Sequence, residues 1–239
     1  MQFKSIFVSF VTLSVAIAAK SLPRIDKDKA ALLIIDHQTG LFNLVRDREP
    51  VHYRNAVLAH AALGPLFNLT TVITTSAETG PNGPLPKEIP QMHPNAPIIR
   101  RQGEVNAWDD PLFRAAVKAT GKKQFIIAGI TTDVCTAFVA LSLLSEGYEV
   151  FANADASGTF DEETARLAND RMRQAGAQVV TIFAIVGDLM RDWRNTPGTA
   201  DVLPYLDQYM PSIGMIARSH AFSVLNGTIE QVHEDLITV

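Results

Sequence analysis

Phe125-Ile126-Ile127-Ala128 runs into Gly129-Ile130-Thr131-Thr132-Asp133-Val134-Cys135, an unbroken apolar stretch that gives way to small and polar residues. Short apolar runs bounded by turn residues read as strands buried on both faces. The residues after it, Ala137-Phe138-Val139-Ala140-Leu141-Ser142-Leu143-Leu144, read as a helix. The junction is therefore strand, turn, helix, and Cys135 lies in the turn near a helix N-terminus. Cys135 is also the one cysteine of the chain. Exposed N–H groups and the helix dipole favour a thiolate there, so the sequence predicts a thiol that titrates below a free one. The competing reading of a lone cysteine is a small buried hydrophobe.

Outward from this junction the same alternation repeats. Ala31-Leu32-Leu33-Ile34-Ile35-Asp36 is a strand ending in a carboxylate, and residues 55–67 look helical. Thr71-Val72-Ile73-Thr74-Thr75 is a second strand. Pro81, Gly83, Pro84, Pro86 and Pro90 mark an irregular segment, and a short strand follows near Ile98-Ile99. A helix spans about 110–120 and is stopped by Gly121, just before the strand of the opening stretch. After the cysteine helix come a strand over 149–154, a helix over 162–174 with Gly176 as its stop, and a last strand over 178–182. Alternating strands and helices predict right-handed βαβ units. The expected fold is α/β: a single-domain, parallel, doubly wound, Rossmann-like sheet with helices on both faces. Ligands in such sheets bind beyond the carboxyl ends of the strands, where the strand order reverses. If it reverses between the first and fourth strands, Asp36 and Cys135 become neighbours.

The 239 residues suffice for one substantial domain, and 47% hydrophobic with 19% charged is an ordinary globular composition. A formal charge of −4 and the lack of a long basic tract argue against nucleic acid as a partner. Lys4, the apolar stretch Ile6–Val15 and Ala16-Ile17-Ala18 describe a secretory signal peptide over residues 1–19, cleaved after Ala18. An uncleaved anchor is the alternative. With cleavage, the domain covers 20–239, with a C-terminal extension from about 200, and is secreted with no membrane association. Asn68-Leu69-Thr70 and Asn226-Gly227-Thr228 are glycosylation sequons that fit export.

Several longer stretches carry a resemblance. They are Asp36-His37-Gln38-Thr39-Gly40-Leu41, Thr74 to Pro84, Asn106-Ala107-Trp108-Asp109, Ile126 to Cys135, Asp155-Ala156-Ser157-Gly158-Thr159-Phe160 and Arg191-Asp192-Trp193-Arg194-Asn195. Together they resemble the isochorismatase-like cysteine hydrolases, and within them the YcaC-related branch. The resemblance implies an Asp–Lys–Cys triad. Asp36 matches its aspartate and Cys135 its nucleophile. At the lysine position this chain reads Ile99-Arg100-Arg101-Gln102-Gly103, so the role maps to Arg101, with Arg100 as second choice. Successive strand side chains face opposite ways, so only one enters the site. Arginine, unlike lysine, is never deprotonated and cannot relay a proton.

The resemblance further implies that Asp36 takes the thiol proton while Cys135 attacks a carbonyl carbon. The N–H groups of Thr131 and Cys135 would hold the oxyanion, and a cis peptide is expected at Ile130–Thr131. Gln38, Glu78, Asn106, Trp108 and Phe160 are the candidate pocket residues, Trp108 and Phe160 with core packing as the alternative. Thr132 and Asp133 read as helix caps, and His37 as structural. No metal and no cofactor is expected: Ser76-Ala77-Glu78-Thr79 stands where the nicotinamidase branch carries Asp-x-His, and His93 has no close partner. Neither a dinucleotide fingerprint after the first strand nor a serine nucleophile elbow is present. The expected function is a metal-free cysteine hydrolase acting on an amide, imide or ester-like bond of a small molecule, as a homo-oligomer. The alternative is a non-catalytic secreted binding or scaffold protein of the same fold, which the arginine keeps open.

Overall fold

In the computed structural model, residues 24–228 are described. The signal-peptide segment 1–19 lies outside them. The strands are β1 (Ala30–Ile35), β2 (Thr70–Ser76), β3 (Ile98–Arg101), β4 (Gln124–Gly129), β5 (Glu149–Asn153) and β6 (Gln178–Val180). All pair in parallel, in the order β3-β2-β1-β4-β5-β6. The chain builds outward from β1 to β3, then crosses back to lay β4 against the other side of β1. The order reverses between β1 and β4, as the sequence required for Asp36 and Cys135 to meet.

Every residue of β1 is buried. Ala30, Leu32 and Ile34 face one layer, formed by α1 (Pro50–Phe67), α6 (Ile182–Met190) and α7 (Thr199–Tyr209). Ala31, Leu33 and Ile35 face the other, formed by α3 (Pro111–Ala119), α4 (Ala137–Ser145) and Met172 of α5 (Glu162–Ala175). Each fully buried Leu or Ile contributes roughly 1.5–3 kcal/mol, which explains why this strand is apolar without alternation.

Local chemistry sets the helix ends. α1 starts earlier than the sequence suggested, because Glu49 accepts the N–H groups of Val51 and His52 and Pro50 takes the first turn. Asp110 with Pro111, and Asp161, do the same for α3 and α5. Gly176, at φ 108, ends α5 in the left-handed region.

The last strand is shorter than the sequence predicts. It ends at Val180, and the Ile182 N–H donates to Asp155 at 2.7 Å. From there α6 buries Ile182, Ile185, Val186, Leu189 and Met190, a helical spacing that the β-branched run before it masks. The segment read as irregular holds the short helix α2 (Glu88–Met92). Beyond residue 198 the chain forms α7 and α8 (Pro211–Leu225), packed as a hairpin. Among the described residues no helix is long and apolar enough to cross a membrane.

Candidate active site

The site sits at the carboxyl ends of β1, β3 and β4. Ile35, the last residue of β1, pairs with Thr74 on one side and Gly129 on the other. Asp36 leaves the strand at φ 52, in the left-handed region, with its N–H held by the Thr74 carbonyl at 3.0 Å. Aspartate tolerates this conformation better than bulkier residues do. β4 can lie this close because Gly129 has no side chain: a Cβ there would stand 2.5 Å from the Ile35 carbonyl oxygen.

Past β4 the Ile130–Thr131 peptide is cis, as the resemblance implied. The following turn, Thr132–Thr136, is wider than an α-turn: the Thr136 N–H reaches back to the Thr131 carbonyl at 3.1 Å. Cys135 lies inside this turn and is half-buried. Its thiol is hydrogen-bonded to the Asp36 carboxylate and receives the Thr131 N–H.

Arg101 completes the group. Strand alternation decides between the two arginines: Arg101 is buried, whereas Arg100 points outward and pairs with Glu78 at 2.7 Å. The Arg101 guanidinium grips both carboxylate oxygens of Asp36 through Nη2. Its Nε donates to Thr74 Oγ1 at 2.9 Å and its Nη1 to the Glu104 carbonyl. Each guanidinium nitrogen is thus engaged with the protein.

The electrostatics reverse one expectation. Cys135 does not titrate low. Burial pushes its thiol well above the ordinary range, and the neighbouring Asp36 charge and their hydrogen bond push it further. The Thr131 N–H and Arg101 only partly oppose this. The helix-terminus argument fails because Cys135 sits within a half-buried wide turn beside an anion, not at an exposed first turn. Burial also raises the Asp36 carboxyl, against the pull of Arg101 and of the thiol hydrogen bond. The resting pair is a thiol beside the Asp36 carboxyl group, whose charged form the cation behind it favours.

The candidate pocket residues divide differently from the sequence reading. Gln38 is buried, and its amide bridges the Ser76 N–H and the Ser76 and Gly83 carbonyls, fastening the loop after β2. Asn106 caps the Trp108 N–H and donates to Ser142. Trp108 is core: it packs edge-on against Phe113 and Tyr148 and donates its indole N–H to Glu146. These three are structural. Glu78 is occupied by Arg100, and Phe160 is exposed, at 47%, on the loop before α5.

Thr132 and Asp133 do not cap. Asp133 accepts the Thr159 hydroxyl at 2.7 Å, and Thr132 Oγ1 has no partner. His37 is buried with Nε2 on the Ala156 carbonyl at 2.8 Å, and burial lowers its pKa to about 4. His93 contacts the Ala61 carbonyl. No group of three or more metal-ligating side chains exists among the described residues. The sequence reading missed Thr74 as the anchor of Arg101: Arg101 pairs with Ser76, and its side chain reaches back two residues along β2 to Thr74, which shows only once β2 and β3 are aligned.

Comparison with known proteins places these features. The Isochorismatase domain matches residues 30–183. The chain is 56% identical over 176 residues to a probable hydrolase, YcaC, of Escherichia coli, covering 74% of this chain and 85% of that protein. The crystal structure of the E. coli YcaC gene product, described as an octameric hydrolase of unknown specificity, superposes with a TM-score of 0.83 at 50% identity. That match covers 85% of this chain and 99% of that one. YcaC from Pseudomonas aeruginosa, solved with hexane-2,5-diol and covalent acrylamide, gives a TM-score of 0.81 at 47% identity over 86% and 100% of the two chains.

Proposed function

This chain belongs to the isochorismatase family, and from that premise we propose that it is a cysteine hydrolase of a small-molecule amide, imide or ester-like bond, working through a covalent intermediate on Cys135. The observation that carries the reading is the convergence of the Cys135 thiol, the Asp36 carboxylate and Arg101 at the point where the strand order reverses.

The chemistry follows from the protonation states. A buried thiol beside a carboxylate is not a standing thiolate, so proton loss accompanies attack. Asp36 takes the thiol proton as sulfur bonds to the substrate carbonyl carbon. The N–H groups of Thr131 and Cys135 meet the oxyanion. Collapse expels the amine or alkoxide, which leaves with the proton from Asp36. Water, deprotonated by Asp36, then cleaves the thioester, releasing the acid and restoring the thiol. Arg101 is saturated by Asp36, Thr74 and Glu104, so its part is to hold Asp36 ionised and aimed, which needs no proton relay.

Acrylamide is a direct test. It alkylates thiols, and this chain has one cysteine, so any thiol adduct reports Cys135. Wild type should gain one acrylamide mass, Asp36→Asn should react at least about tenfold more slowly for loss of the base, and Cys135→Ser should not react. A screen of small amides should show turnover in wild type and none in Cys135→Ser. Wild-type protein that neither labels nor turns over any amide would refute the hydrolase and favour the non-catalytic binding reading.

Two wider proposals belong with this one. We infer a homo-oligomer: Met215, Ile216, Phe222 and Leu225 are all at least 63% exposed on α8, an apolar face that a second copy would cover. A monomer mass by light scattering would refute it. We also infer secretion with cleavage near Ala18; Asn68, exposed at the amino edge of the sheet, could carry a glycan away from the site. An exported protein still beginning at Met1 would refute the cleavage.

A further inference from the structure

His37 is buried beside Asp36, and the mechanism above does not use it. Its Nε2 faces the Ala156 carbonyl at 2.8 Å, and a carbonyl only accepts, so Nε2 carries the proton and Nδ1 is bare. Nδ1 has no partner. The ring stands edge-on to His60, centroids 6.1 Å apart. A histidine whose single polar contact is one carbonyl is a poor core residue unless that contact matters.

Ala156 lies in the crossing from β5 to α5, and this crossing is where the cysteine turn is seated. The Gly158 carbonyl accepts the Thr132 N–H at 3.0 Å, Ile130 bridges to Gly158, and the Thr159 hydroxyl donates to Asp133 at 2.7 Å. Asp36 and His37 are consecutive residues. A short path thus runs from the base, through the His37 N–H, into the segment that carries the Thr131–Cys135 turn. It is independent of Arg101, which holds Asp36 from the β2–β3 side. Tyr53 adds a longer contact to the same carbonyl, at 3.3 Å.

We propose that His37 is a positioning residue: by donating Nε2–H to the Ala156 carbonyl it fixes the spacing between the Asp36 carboxylate and the Cys135 turn. This rests on Cys135 being the nucleophile and Asp36 its base. The physical ground is that proton transfer between fixed groups depends steeply on separation; a displacement of 1 Å can cost about a hundredfold in rate.

The test is the rate of acrylamide alkylation of Cys135, with thermal melting recorded in parallel. His37→Gln places an amide N–H near the position of Nε2, His37→Asn places one too short to reach, and His37→Leu fills the space without a donor. The Leu and Asn variants should alkylate at least about tenfold more slowly while still melting cooperatively, and Gln should return to within about threefold of wild type. Thr159→Val, which cuts the far end of the same path, should slow alkylation in the same direction. Should Leu fail to fold, the Gln and Asn pair together with Thr159→Val decides. Equal rates in Gln and Asn, or a wild-type rate in Thr159→Val, would overturn the proposal. The parent reading fails separately, and takes this one with it, if wild-type Cys135 does not label or Asp36→Asn labels as fast as wild type.

Discussion

At the residue scale the informative position is the arginine where the family's lysine is expected. Arg101 and Asp36 are both buried, and the guanidinium also satisfies Thr74 and the Glu104 carbonyl. Breaking a buried pair from one side typically costs about 3–5 kcal/mol, because the remaining charge is left uncompensated. Arg101→Ala should therefore lower stability by about that much, push the Asp36 carboxyl still higher and nearly abolish turnover. Arg101→Lys keeps the charge but loses the fork, leaving buried acceptors unpaired at about 1–3 kcal/mol. It should retain activity below wild type. Arg100→Ala removes an exposed contact to Glu78 and should sit within about 0.5 kcal/mol of wild type. Urea unfolding and amide turnover on the three variants check this; a silent Arg101→Ala would refute the role. Asp36 and Cys135 were singled out by their places at a strand end and a turn, and their roles by the family resemblance; alternation said that only one of Arg100 and Arg101 enters the site, and the burial of Arg101 decides between them. The thiol's protonation was not legible in the sequence, because it depends on an anion that arrives from another strand.

At the element scale, what brings base and cysteine together is the contact between β1 and β4. Gly129 ends β4 where a Cβ would meet the Ile35 carbonyl oxygen and Cβ and the Thr136 hydroxyl. Backbone cannot yield as a side-chain tip can. Gly129→Ala should therefore part the strand ends, destabilise by roughly 1–3 kcal/mol and reduce acrylamide labelling more than melting temperature, since Asp36 and the cysteine turn move apart. Unchanged labelling would mean the spacing is set elsewhere. The strands were readable from continuous apolar runs and turn residues; the reversal of order entered only as the condition under which Asp36 and Cys135 would meet, and the sheet supplies it. α6 was not readable: Val179 and Val180 lead into Ile182 without a break, and only the hydrogen bond to Asp155 shows where extended chain stops. The pocket candidates failed for a similar reason. Gln38, Asn106 and Trp108 lie beside site residues in sequence, but their polar groups are used by loops and caps that sequence proximity does not reveal.

For the whole molecule, the buried histidines set an acid limit. Burial lowers the pKa of His37 to about 4 and of His60 to about 3, and lowers that of His93 as well. In the unfolded chain each takes a proton near its ordinary 6.5. Between that pH and the folded value the unfolded state binds more protons, so stability falls as pH falls through this window, by about 1.4 kcal/mol per pH unit for each of His37 and His60. Urea titrations should show a steep loss from pH 6.5 toward 4.5 and little change above 7, with a shallower slope in His60→Gln. A flat profile would mean that these rings protonate in place.

The strand order has one more consequence, for the order in which the chain acquires its parts. Ile35 must wait for Gly129, far along the chain, before β1 gains its second neighbour. Pairings between distant segments close large loops and come late in folding. The carboxylate and the sulfur are therefore strangers through most of synthesis, and the thiol stays in water until β4 docks. Shielding of the lone sulfur from a bulky alkylating reagent then serves as a clock for the central closure of the sheet. An incompletely folded chain would be the form most exposed to chemical damage.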